Sequence, residues 1–280
     1  MFDVSEPYEP RPVELLGVRR AFLRTFVLVA ILVIAGCGHS QGQLRILTYN
    51  IHHGQGTDGR FDLARIAGVI NAQRPDLVAL QEVDRKTTRA SGVDQAAELA
   101  RLTGMNYAYG PAMEYAGGEY GEAILSRFAL ASIDNYILPW PDGSEPRALL
   151  VVKVEAKGLG PVTFGGTHLA HDSAVDRLEQ AKRINEILGG QRGALMILAG
   201  DLNATPGSAP MREFDRHWMD AAEATGSPEL TYPNIQPQRR IDYVLVRPLD
   251  GWRVLEAVVI EGEIASDHCP VLVVLEWDKQ

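Results

Sequence analysis

Twice along this chain, an apolar run of strand length is followed by a segment with helical spacing and then by a second apolar run. "LRILTYNIHH" (44–53) reads as a strand, and "DLARIAGVINAQ" (62–73) gathers its apolar residues on one helical face. Pro75 stops that helix, and "DLVALQEV" (76–83) is a strand again. The same order recurs as a strand at 161–169, a helix at 174–189 and a strand at 194–200. A strand–helix–strand unit is how a chain sets two parallel neighbours in one sheet. A further helix is expected at 94–103, with strands near 119–126, 129–138 and 147–156 between the two units and near 240–247, 252–260 and 270–277 at the end. So many strands with only three or four helices predict an α/β fold of two packed mixed sheets with helices outside. No Pro/Gly/Ser-rich linker divides residues 44–280, which read as one domain.

These strands end in a recurring way. The first ends on Asn50, the second on Glu82, the strand from 161 on His168, and "MILAGDLNATP" runs from buried apolar residues into Asp201 and Asn203. Asp242 sits just inside "RIDYVLV", and Asp267 and His268 immediately precede the last strand. Singly, each has a plain reading as a turn former or a satisfied core histidine. Together they converge, because strand ends in a packed α/β protein meet at one rim, where ligand sites form. Carboxylates crowded at one rim repel each other and raise their own pKa values unless a cation neutralises them. With no cysteine cluster for a thiolate site, a hard divalent ion held by oxygen ligands is expected. Such an ion polarises a phosphoryl oxygen, a free carboxylate orients water, and a carboxylate-backed histidine faces a phosphate oxygen. That chemistry is metal-assisted phosphoester hydrolysis. An acyl-transfer triad fits less well, since no serine lies in a G-x-S-x-G elbow.

The charge balance narrows the substrate. With 27 Lys+Arg against 36 Asp+Glu, the formal net charge is −9, a field that repels polyanions. The N-terminal stretch has another purpose. In "VRRAFLRTFVLVAILVIAGCG" (18–38), arginines precede an apolar run that meets small residues and Cys37. This is the order of an export signal, and the run is short of the roughly 20 residues a spanning helix needs. "IAGC" resembles the lipobox of bacterial lipoproteins, in which Cys37 is lipidated, and "RRAFLR" resembles a twin-arginine signal with Val18 where Ser or Thr is usual. An uncleaved N-terminal anchor is the alternative. The expected organisation is an export signal or anchor at 1–37, a tether at 38–43 and a catalytic domain at 44–280, exported and held at the membrane. Cys269 is then left without an intramolecular disulfide partner.

The ordered set "LTYNIH", "DLVALQEVD", "GEAILSR", "GTHLAH", "LAGDLNATP", "RIDYVLV" and "SDHCPV" resembles the endonuclease/exonuclease/phosphatase superfamily from about residue 44 to 277. That group includes pancreatic-type deoxyribonuclease, apurinic endonucleases, neutral sphingomyelinases and inositol polyphosphate 5-phosphatases. The resemblance implies a four-layer α/β/β/α sandwich and a Mg²⁺ cofactor for which Mn²⁺ can substitute. It makes Glu82 the principal metal ligand, with Asn50 and Asp267 beside it. Asp201 is implied to orient or deprotonate the attacking water, and Asn203 and His168 to hydrogen-bond the phosphate. His268 is similar to the family histidine at the scissile phosphate, with Asp242 fixing its orientation. Glu122 falls where pancreatic-type deoxyribonuclease pairs a Glu with its first histidine, and Arg147 is a candidate phosphate contact.

Two departures turn the expectation away from DNA. His52 stands where apurinic endonucleases carry Asp, and no basic cluster with interleaved aromatics is present. "TYNIHHGQGTDGRFDLARIA" looks more like the membrane-associated branch, which includes the C-terminal module of GPI-anchor-remodelling proteins. "THLAH" adds His171, with Arg177 and Gln180 either on the same functional face or on a solvated one. The expected activity is a Mg²⁺-dependent phosphodiesterase on a phospholipid or GPI-type lipid, an extracytoplasmic endonuclease on DNA being the alternative and a non-catalytic binding module a further one. A monomer with no obligate protein partner is expected.

Overall fold

The computed structural model describes residues 42–277 apart from 142, 190–194, 227, 250 and 263. The export signal, Cys37 and all but the end of the tether lie outside the described residues. Both strand–helix–strand units form and lie at the centres of the two sheets. In the first, β1 (Gln43–Asn50) and β2 (Leu77–Arg85) run parallel, joined by α1 (Leu63–Gln73). Asp62 caps α1 by accepting from the Arg65 N–H, and Arg74, in a left-handed conformation before Pro75, closes it. In the second, β7 (Gly160–His168) and β8 (Leu195–Asp201) run parallel, joined by α3 (Ala174–Gly189).

The remaining strands add antiparallel partners: β3 (Asn106–Tyr115), β4 (Gly118–Ser126), β5 (Leu130–Ile137), β6 (Ala148–Ala156), β9 (Met219–Asp220), β10 (Asp242–Arg247), β11 (Trp252–Val259) and β12 (Val271–Trp277). One six-stranded sheet has the order β11-β12-β1-β2-β4-β3 and the other β5-β6-β7-β8-β10-β9. Their inner faces close on an apolar core of residues such as Leu44, Ile46, Ile124, Phe164, Ile197 and Val244. The outer face of the first sheet packs on α1 and α2 (Gln95–Thr103) through Ile66, Ile70 and Leu99. The second packs on α3 and α4 (Ala209–Phe214) through Ile184, Leu188, Met211 and Phe214. The expected four layers are therefore present, each sheet being covered on both faces.

Three elements differ from the sequence reading, among them β9, whose two residues are too short for strand alternation to show. β3 was not expected, because Gly110-Pro111 interrupts its strand-like residues. It survives as the outermost strand of its sheet, bulged between Pro111 and Met113, where a missing N–H costs no ladder bond. α4 was not expected either, since six residues are too few for a helical repeat to register.

Strand phase decides where the polar residues point. Along β8, Leu195, Ile197 and Ala199 face the inter-sheet core, so Asp201, two further on, faces the mouth of the same gap. The same count takes β1 from Leu44 and Ile46 to Asn50, and β7 from Val162 and Phe164 to His168. On β10 it leads back from Val246 and Val244 to Asp242. Register then aligns them, because Asp201 is paired with His168 on one side and Asp242 on the other. Gly200 permits this close pairing: a Cβ there would lie 1.9 Å from the Thr167 carbonyl oxygen.

Candidate active site

Glu82 reaches the mouth by a different route. The β2–β4 ladder shifts between Leu80 and Val83, and Glu82 has a φ of 60°. Leu80 and Val83 both stay on the helix-covered face, so the extra residue of the bulge turns Glu82 toward the site. Asn203 likewise has a positive φ, 47°, stabilised by its own N–H donating to Asp201 Oδ1 at 2.9 Å. Two strained non-glycine residues at one rim are a mark of a functional site.

Asp201 is the hub. Its Oδ2 lies 3.2 Å from Asn50 Nδ2, 3.3 Å from His168 Nε2 and 3.6 Å from His268 Nε2. Asn50 Nδ2 also donates to Glu82 Oε1 at 3.0 Å within its own sheet, while its bond to Asp201 ties the two sheets together across the mouth. His268 presents Nδ1 to both oxygens of Asp242, at 3.2 and 3.1 Å. Asn203 Nδ2 lies 2.9 Å from His168 Nε2 and donates to the Leu169 carbonyl at 3.0 Å. Asp201, Asp242, His168 and His268 are buried, while Glu82, Asn203 and Asp267 are partly exposed toward a cleft of about 520 Å³.

The charges follow from this arrangement. Burial opposes charge on His268, but the Asp242 and Asp201 carboxylates override it and push its pKa up to about 10, so the ring is an imidazolium at neutral pH. Burial also opposes charge on Asp201, yet the hydrogen bond from His168, the charge of His268 and the Asn203 N–H hold its carboxyl well below the usual range. Glu82 is held ionised against burial by the flanking histidines and the Asn50 amide.

A divalent cation suits the exposed side of this cluster. Among the described residues, neither Glu82 nor Asp267 pairs with a lysine or arginine, and His52 Nδ1 lies 3.9 Å from Asp267 Oδ1. Two such carboxylates with the Asn50 amide beside them form a hard oxygen donor set. Asn50 here turns Nδ2 toward Glu82, while its Oδ1 accepts the His52 N–H at 3.0 Å, so ligation requires the opposite amide orientation. Asp201, Asp242 and His268 also offer ligand atoms within 4.8 Å of one another and could hold a metal. There, however, a proton on His268 Nδ1 already bridges to Asp242.

Two expectations need correction. Glu122 does not pair with His168: both of its carboxyl oxygens are buried without a hydrogen-bond partner, and burial pushes its pKa well above the carboxylate range. Arg147 occupies that place instead, its Nη1 lying 3.0 Å from His168 Nδ1. Gln180 is not on a solvated face but buried, accepting from the Ala170 N–H and donating to the Pro139 carbonyl. Arg177 donates to the Ala170 carbonyl at 2.8 Å, so both residues clamp the turn that carries His168 and His171.

Several supporting residues escaped the sequence reading. Ser266 Oγ donates to the Asn50 carbonyl at 2.7 Å and accepts from the His268 N–H, which locks the "SDH" turn onto β1. Thr231 Oγ1 accepts from the Ile241 and Asp242 N–H groups. Tyr232 packs its ring 4.6 Å from that of His268, and the Arg239 guanidinium lies over the Tyr232 ring, 4.9 Å from its centre. The first was legible in its motif; the others come from a loop without periodicity.

A sequence profile of the Endonuclease/Exonuclease/phosphatase family matches residues 47–268, a span that takes in all of the converging site residues. The chain belongs to this family. Endonuclease/exonuclease/phosphatase proteins are generally hydrolases of phosphoester bonds. This member is 26% identical to the uncharacterized protein YbhP of Escherichia coli over 260 residues, 82% of this chain and 95% of that protein. It is similar to the crystal structure of an endonuclease/exonuclease/phosphatase from Beutenbergia cavernae, with a TM-score of 0.68 and 28% identity over 84% of this chain and 72% of that one. A mannosyl-6-phosphatase of Bacteroides thetaiotaomicron shares the fold, with a TM-score of 0.66 and 21% identity over 84% of this chain and all of the other (100%).

Proposed function

We propose that this protein is an exported, membrane-anchored phosphodiesterase that uses Mg²⁺, with Mn²⁺ able to substitute, and hydrolyses a phospholipid or GPI-type lipid. The observation that carries the hydrolytic reading is Asp201, an ionised carboxylate set between two histidines and opposite Glu82 at an open cleft. Asp201 orients the attacking water and accepts its proton. Asn203 and His168 donate to the phosphate oxygens, and the His268 imidazolium, backed by Asp242, faces the charge that develops as the bond to the leaving alcohol breaks. Glu82, Asp267 and Asn50 would hold the metal, which supplies electrostatic stabilisation of the phosphoryl group. The products are a phosphomonoester and an alcohol.

The acidic balance of the chain and the lack of a basic stripe support a compact headgroup over a long polyanion. The apolar run before Cys37 supports the membrane location. Among the described residues no helix is long and apolar enough to cross a membrane. The test is hydrolysis of bis-p-nitrophenyl phosphate with Mg²⁺, with EDTA as control, followed by lipid vesicles and DNA at rising salt. Asp201→Ala and His268→Ala should each lose about 10²–10⁴-fold in rate. Full activity in either variant, or in EDTA, refutes the assignment. DNA cleavage that falls steeply with salt, with no action on vesicles, replaces the lipid substrate with nucleic acid.

A further inference from the structure

The two histidines that face Asp201 Oδ2 are backed by opposite kinds of group. Behind His268 stands the Asp242 carboxylate, which can only accept, so His268 Nδ1 carries a proton. Behind His168 stands Arg147, whose guanidinium can only donate and does not give up its charge. Nδ1 of His168 must therefore accept and carries no proton.

We propose that Arg147 is a positioning residue that fixes His168 as the neutral Nε2–H tautomer, making it a hydrogen-bond donor rather than a proton-transfer acid. The guanidinium is well placed for this. Arg147 is 1% exposed and immediately precedes β6. Its Nη1 lies 3.0 Å from Glu145 Oε1 as well as from His168, and its Nη2 lies 3.3 Å from His171 Nδ1. The side chain thus reaches two histidines of the "THLAH" turn and holds that turn against the end of β6.

The proton on His168 then has one place, Nε2, 3.3 Å from Asp201 Oδ2. Asn203 Nδ2, 2.9 Å from the same nitrogen, is also a donor and keeps its hydrogen bond to the Leu169 carbonyl, but the ring must hold at least one proton, and Nε2, unlike Nδ1, faces an acceptor, Asp201 Oδ2. A neutral imidazole that lost its Nε2 proton while Arg147 held Nδ1 would be left as an imidazolate. His168 is for that reason a fixed donor, to Asp201 in the resting site and to a phosphate oxygen when substrate is bound. A carboxylate behind His168, the arrangement first expected from Glu122, would place the proton on Nδ1 and reverse the polarity of Nε2. The location of the proton stands without the proposed hydrolysis; its consequence for catalysis rests on that reading.

The test is ¹⁵N NMR of the full chain labelled at histidine, in EDTA and again with Mg²⁺, with His168→Gln and His171→Gln to assign the signals. The expected spectrum near neutral pH shows His168 with an unprotonated Nδ1 and a protonated Nε2, and Glu122→Gln leaves those signals in place. Arg147→Met should give a mixture of tautomers and lower kcat about 10²-fold with little change in KM. Arg147→Lys, which restores a donor, should recover part of the tautomer preference. A protonated Nδ1 on His168 in the unsubstituted protein overturns the proposal, as does a shift of its signals on Glu122→Gln. If Arg147→Met does not fold, the spectra of the unsubstituted protein and of Glu122→Gln still decide. Absence of hydrolysis on every phosphodiester would refute the proposed function and leave these spectra unaffected.

Discussion

Asp242→Asn isolates the electrostatics of the site with almost no change of shape. Asp242 offers both oxygens to His268 Nδ1, at 3.2 and 3.1 Å, whereas Asp201 lies 3.6 Å from the other ring nitrogen. Against the cost of burial, these two carboxylates raise the His268 pKa from 6.5 to about 10. At about 1.36 kcal/mol for each tenfold change in proton affinity, the interval is worth on the order of 5 kcal/mol. Asp242 makes the shorter contacts and takes the larger share, at most about 3 kcal/mol, because its own burial, which raises its pKa, offsets part of the gain. Because the folded-state pKa is raised, this stabilisation is fully present below pH 6.5 and is lost as the pH climbs through about 10. Urea denaturation in EDTA, followed across that window, is the assay. The unsubstituted protein should lose stability as pH rises, and Asp242→Asn should be less stable near neutral pH by at most about 3 kcal/mol, the two curves drawing together toward pH 10. Lysine and tyrosine titrations are common to both proteins and cancel in the difference. A difference that does not change with pH would refute the assignment of an imidazolium to His268.

Glu82→Gln, which removes the bulge carboxylate without emptying its volume, should abolish measurable Mg²⁺ heat in isothermal titration and cost at least about 10²-fold in activity; retained Mg²⁺ binding would move the metal elsewhere. Glu122→Gln should flatten the pH dependence of stability. The raised folded pKa of this buried acid means that the unfolded chain gains on ionisation, so the unsubstituted protein loses stability relative to the variant as pH rises above 4.5, and parallel profiles would show that Glu122 ionises freely. Gly200→Ala drives a methyl group into the Thr167 carbonyl, separates β7 from β8 and should lower the melting temperature and the rate together; an unchanged melting temperature would show that the strands can part without cost.

The two parallel pairs were legible because each is a long periodic segment with its own stop signal, such as Pro75 after α1. The polar strand ends were legible for a related reason: an apolar run that stops on Asp201 or His168 is unusual chemistry for a buried strand. β3 was hidden by a proline that only an outer, bulged strand tolerates, and the displacement of Glu82 by a bulge leaves no trace in composition. Side-chain partners were least legible. Whether Glu122 or Arg147 reaches His168 depends on the path of β4 against the start of β6, which are in different sheets. Gln180 shows the same limit, since a buried glutamine that clamps a turn and an exposed one on a helix have the same local sequence.

The assembly of the site then needs little beyond alternation and register. β1 and β7 each lead a parallel pair, and the contact of Asn50 with Asp201 shows that the two pairs end at the same mouth. Once the inner faces of both sheets are apolar, every second residue toward that end is aimed into the gap, and the polar ones at the strand ends meet where the core opens to water. Such a mouth can keep ionised groups that the core cannot, because each is bonded to another: Asp201 to Asn50 and His168, Asp242 to His268, Asn50 to Glu82. Glu122 shows what happens just below. It lies on the same strand as Ile124, two residues away and on the same face, but without a partner, and it cannot keep its charge. The boundary between chemistry and packing in this fold is therefore set by partners as much as by depth.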